Sequence, residues 1–147
     1  MKNINIIRRK VATTANRLKK LGYTLSNAFR KAWALIKGEN ITSKVSGTTK
    51  GNRQKALEHL TRYNPQAVAV RLEREPTNLY DRYAIKVIVS VNNSADYTLG
   101  YIPSNIAYIV SAIMDKGIDI KATFKAVRGK YTAYMNYGAV IDLQMGE

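Results

Sequence analysis

"LEREPTNLYDRYAIKVIV", residues Leu72–Val89, decides how the chain is read. Its two ends look like β-strands, and Pro76, Asn78 and Asp81 between them are turn-forming residues. Tyr80 is out of place in such a turn. An aromatic ring beside a carboxylate at a strand connection asks for a reason beyond chain reversal.

Reading outward from this stretch gives an α+β pattern. Upstream, "AVAVRLERE" alternates Val68, Val70 and Leu72 against Ala69, Arg71 and Glu73, as a half-buried strand does. Downstream, "AIKVIVSV" is the next strand, closed by a turn at Asn92-Asn93. "YTLGYIP" is a short strand that Pro103 ends, and Ser104 is placed to cap a helix, "NIAYIVSAIMDKG", stopped by Gly117. "DIKATFKAV" and "YGAVIDLQM" are further strands, and Gly129 lies in the loop after the first of them. Before the opening stretch, "SKVSGTT" starts the strand series. "NRQKALEHL" is a short helix with Ala56, Leu57 and Leu60 on one face. Five to six short strands with two helices predict a small, strongly bent β-barrel over residues 43–147.

The first 38 residues differ. Ile4, Ile7, Val11, Ala15, Leu18 and Leu21 recur at helical spacing, and Gly22 stops that helix. A second helix, "SNAFRKAWALIKG", presents Phe29 and Trp33 among its apolar residues and ends at Gly38. The pair reads as a basic amphipathic helical hairpin. It is suited to touching DNA, to lying on an anionic membrane, or to packing on the barrel or another copy.

Composition narrows the function. The 147 residues hold 24 Lys and Arg against 10 Asp and Glu, a net charge of +14. Ten of the basic residues and none of the acidic ones lie in residues 1–38, which leaves +4 for the rest. Such a balance favours polyanionic partners, with plain solubility as the bland alternative. The absence of Cys excludes disulfides and thiolate metal sites, and one histidine, His59, excludes a His-rich one. No apolar run approaches the length of a membrane span and no signal-peptide core opens the chain, so a cytoplasmic protein is expected. Catalysis finds no support: no Ser/His/Asp set, carboxylate pair or phosphate-cradling glycine loop occurs, and Asp96, Asp115, Asp119 and Asp142 are scattered. No cofactor is implied.

The sequence "LEREPTNLYDRYAIKV", then "LGYIP", a helix ending "MDKG" and the strand "DIKATFKAV" resemble the HIRAN domain family over about residues 43–145. The family pattern runs Arg-Glu/Asp-Pro-x-Asn-Pro-Tyr-Asp-x-Asn-Ala-Ile, followed by Gly-Tyr-Ile-Pro. The resemblance implies a modified barrel that binds DNA. In nuclear members it sits beside a helicase-like ATPase and captures the 3′ end of a single strand. Asn78, Tyr80 and Asp81 match the turn motif, and Tyr101 follows the matching glycine. Leu79 stands where the family has Pro, which should loosen the turn, and Tyr83 stands where it has Asn. The first strand has Lys44 and Val45 where some end-binding members carry an aromatic pair. The implied source is a bacterium or its virus, and the implied partner is a protein of DNA repair, replication or remodelling.

Elementary chemistry supports the same residues. Bases stack on aromatic rings at about 1–3 kcal/mol each, so Tyr80 and Tyr101 are candidate platforms, or else barrel packing. Asp81 repels phosphate but accepts a hydrogen bond from a terminal hydroxyl; the local alternative is an Asx turn, with one oxygen for each role if both hold. Lys44, Arg71, Arg74 and Arg82 are the candidate phosphate ligands. The expectation is a non-enzymatic protein that binds single-stranded DNA at a 3′-hydroxyl end. The alternative is a protein–protein adaptor that docks or oligomerises through the hairpin.

Overall fold

The computed structural model describes residues 37–92, 94–129 and 136–146, together with residues 9, 30, 31, 34 and 35. The expected hairpin, with Phe29 and Trp33, lies almost wholly outside the described residues.

Among the described residues, six antiparallel strands form one sheet: β1 (Ile41–Lys44), β2 (Val68–Arg74), β3 (Ile85–Val91), β4 (Tyr97–Tyr101), β5 (Ile120–Gly129) and β6 (Tyr137–Met145). Their spatial order is β1-β6-β5-β2-β3-β4. Helix α1 (Arg53–Leu60) follows β1, and helix α2 (Ser104–Asp115) follows β4. The expected barrel is thus a six-stranded half-barrel with two helices.

Two bulges bend the sheet. Val87 pairs with Gly100 but Ile88 with Thr98, so Leu99 is an extra residue on β4; Lys125 is the extra residue on β5. The bend brings the two sheet edges together just beyond β1. Ser46 and Tyr101 exchange both backbone hydrogen bonds, at 2.8 and 2.9 Å. Gly100 permits that approach. A Cβ there would collide with the Ser46 carbonyl oxygen and lie 2.7 Å from Val45 Cγ1. Glycine thus marks close backbone contact as well as a bend.

The core follows the alternation. Val87, Val89, Phe124, Ile141 and Leu143 point inward from the strands. Ile106, Ile109, Val110 and Ile113, spaced as one helical stripe, add the buried face of α2. Pro103 is the N-cap of α2, and no side chain caps the helix; Ser104 is instead its first residue, so the predicted Ser104 cap does not form. Leu35 is fully buried in the same core cluster, and Gly38, at φ +85°, ends the turn that follows it. No described helix is long and apolar enough to cross a membrane.

Candidate nucleic-acid interface

The connection from β2 to β3, residues 75–84, is built from its own polar side chains. Asn78 Oδ1 accepts from the backbone N–H groups of Tyr80 at 2.9 Å and Asp81 at 3.0 Å. Its amide donates to Glu75 Oε1 at 3.1 Å. Asp81 Oδ1 accepts from the Tyr83 N–H at 2.8 Å, a second Asx turn. No described residue bonds its other carboxylate oxygen. Around Leu79, which stands where the family has Pro, the Asn78 and Asp81 side chains bond the backbone on either side.

The turn exposes apolar surface. Tyr80 is 96% exposed and Leu79 94%, the only large hydrophobic side chains so exposed among the described residues. Packing in the barrel is excluded for Tyr80. Local hydrogen bonds hold the backbone beneath it while its ring faces water.

Glu75 ties this turn to the barrel seam. Its Oε2 accepts from the Tyr101 hydroxyl at 3.0 Å and lies 3.3 Å from Lys86 Nζ. Burial pushes the Glu75 carboxyl up, but hydrogen bonds from Asn78, Tyr101 and Lys86 outweigh it and hold the group below the usual carboxylate range. Burial, with the bond to Glu75, raises the Tyr101 hydroxyl above the ordinary phenol range. The Arg53 guanidinium lies 5.6 Å from the Tyr101 ring centroid, within cation–π range, and Nη1 donates to the Gly47 carbonyl at 2.7 Å. Asn78, Glu75, Tyr101 and Arg53 therefore form one connected line from the turn to α1.

The predicted cations divide. Arg74 is a brace: its guanidinium binds both carboxylate oxygens of Asp115, at 3.0 and 3.3 Å, and the carbonyls of Arg82 and Ala84, and its side chain is only 17% exposed. It locks the turn to α2. Arg71 is held on the sheet surface between Glu73 and Asp96, each at 3.0 Å. Arg82 folds onto its neighbour, with Nη2 2.7 Å from the Tyr83 hydroxyl, and the Tyr83 ring packs edge-on against Tyr108 of α2. Lys44 is exposed on β1 and lines a cleft of about 410 Å³ with Arg128 and Asn136. The structure thus brings Asn78, Tyr80, Asp81 and Tyr101 onto one connected surface. Arg71 and Arg74 are engaged by carboxylates.

Sequence reasoning missed Glu75, Lys86 and Arg53. Glu75 had a signal: it is the acid of the Arg-Glu-Pro motif, three residues before Asn78 and within reach across a turn. Lys86 and Arg53 had none, because pairing and seam closure bring them to Tyr101.

The HIRAN domain family matches residues 39–143. No curated protein matches the chain. Among solved structures, a protein from Lactobacillus plantarum is similar at 23% identity, covering 70% of this chain and 91% of its own, with a TM-score of 0.47. The HIRAN domain of human HLTF is similar at 23% identity, covering 71% of this chain and 75% of its own, with a TM-score of 0.41. The family match takes in β1 to β5, most of β6 and the whole Asn78–Asp81 turn, well over half of the chain, so this chain belongs to the HIRAN domain family.

Proposed function

We propose that this protein is a non-enzymatic module that binds single-stranded DNA and takes up its 3′-hydroxyl end at the Asn78–Asp81 turn. The observation that carries this reading is Tyr80, almost wholly exposed on a turn whose backbone three local side-chain hydrogen bonds hold. An exposed ring on a backbone held in place is a platform for an unpaired base, at about 1–3 kcal/mol per stacked base. Asp81 uses one oxygen in the turn and keeps the other for a hydroxyl donor. A strand continuing past that point would bring a phosphate against the carboxylate. Family membership supports nucleic-acid binding, and the net charge of +14 supplies long-range attraction. Lys44 and the basic residues of 1–38 add phosphate contacts. The partner in the cell is a repair, replication or remodelling protein, in the cytoplasm of a bacterial or virus-infected cell.

The test is a set of oligonucleotides that differ only at their ends. A 3′-phosphate should weaken binding and a 5′-phosphate should not, because loss of a hydrogen bond to a charged acceptor costs about 1.5–3 kcal/mol. Equal affinity for 3′-hydroxyl and 3′-phosphate strands overturns end recognition.

Leu79 favours a second reading. An exposed Leu-Tyr pair also suits a protein interface, where Tyr is a common anchor, and the protein would then be an adaptor. Salt separates the two. DNA affinity falls steeply as counterions are released, whereas an apolar protein contact changes little.

A further inference from the structure

The line of contacts that leaves the turn does not stop at Tyr101. It continues through Arg53 into a cleft of about 350 Å³ beside α1, at the small end of the range for ligand clefts. Ala56, Tyr97 and Thr98 line it, and the Tyr97 hydroxyl is itself buried, so the cleft meets ring carbon. Lys50 and Arg53 also line it, and among the described residues no carboxylate does. Lys50 is exposed and makes no ion pair among the described residues. Arg53 has one nitrogen fixed to the Gly47 carbonyl, which holds the guanidinium in place.

The start of α1 is also fastened. Gln54 Nε2 donates to the carbonyls of Thr48 at 2.9 Å and Tyr137 at 2.8 Å, and its Oε1 accepts from the Tyr137 N–H at 2.8 Å. These bonds attach the helix to β6 and keep Arg53 beside Tyr101. An apolar floor under a cationic rim is the chemistry of a nucleotide: ring carbon for the base or sugar, and cations for the phosphate.

We infer that this cleft is a second nucleotide subsite. It holds the nucleotide preceding the 3′-terminal one, with its phosphate between Lys50 and Arg53 and its base or sugar against Tyr97. This rests on the 3′-end reading, since the terminal nucleotide on Tyr80 sets the register. It also gives the strand a direction, from the turn past Tyr101 toward α1.

The experiment uses the full chain and a decanucleotide in which one uncharged methylphosphonate linkage is moved along the strand. In the wild type, an uncharged linkage within the last two positions before the 3′ end should weaken binding more than the same linkage at the 5′ end. Lys50→Ala should weaken the unmodified strand by up to about fivefold, the range of an exposed ion pair, and should erase most of that positional penalty. It should lower the salt slope by about 0.7, the value for one phosphate on a single strand. The preference for 3′-hydroxyl over 3′-phosphate should stay as in the wild type, because Lys50 does not touch Asp81. If the end preference is present but no linkage position matters, or Lys50→Ala leaves the positional penalty intact, the subsite is wrong and the end reading stands. If the wild type has no end preference, the end reading falls and the subsite with it.

Discussion

Two places in this molecule hold backbone at close quarters, and they do so for opposite ends. At the seam, Ser46 and Tyr101 exchange backbone hydrogen bonds and Gly100 leaves no room for a side chain. At the β2–β3 turn, Asn78 and Asp81 bond local N–H groups, and the residues between them project Leu79 and Tyr80 into water. The seam excludes side chains so that a bent sheet can close. The turn uses side-chain hydrogen bonds to present one. Apolar exposure that does nothing for the core points to a use outside the molecule.

Substitutions can break this contrast from either side. The largest loss of stability belongs to the core that the seam encloses. Leu35→Ala should cost about 2–5 kcal/mol in denaturant unfolding, because the side chain is fully buried. A truncation at residue 38 removes the same side chain and should show at least that loss. Gly100→Ala comes next, at about 1–3 kcal/mol, as Ser46 and Val45 give way to the new Cβ. If Gly100→Ala unfolds at the wild-type midpoint, the seam is not close-packed.

Asn78→Ala should cost less, about 1–2 kcal/mol, since it frees two backbone N–H groups in a partly solvated turn. It should also weaken DNA binding, because the Tyr80 backbone loses its fixed position. Glu75 gives a pH signature. Its folded carboxyl titrates below its ordinary value, so its contribution is complete at neutral pH and is lost as pH falls through the folded value. The unfolding midpoint of the wild type should therefore fall at the acid end of the carboxylate range, and Glu75→Gln should flatten that fall. An identical acid profile in the variant would remove Glu75 from the account.

Much of this fold is legible in the sequence, because alternation reports burial directly. The last strand is found at residues 137–145, where Ala139, Ile141 and Leu143 face inward at every second position. The turn is legible for a local reason: Asn and Asp bond their own backbone, so their chemistry stays within a few residues. The bracing contacts of Arg74 are not legible in the sequence because they are tertiary. Strand position alone makes it a candidate cation, but its guanidinium reaches the end of α2, and no pattern in β2 signals that Asp115 will be there. Arg53 is the converse, a residue of an unremarkable short helix that seam closure brings to Tyr101.

The contrast between seam and turn is tested most directly by measuring stability and binding on one variant, Tyr80→Ala. Because the ring is exposed, its loss should leave the unfolding midpoint where it is in the wild type. Affinity for a single strand with a 3′-hydroxyl should fall by about 1–3 kcal/mol, roughly fivefold to 150-fold. Unchanged affinity, or a drop in binding that only tracks a drop in stability, would contradict the claim that this turn is built to hold Tyr80 out for a base.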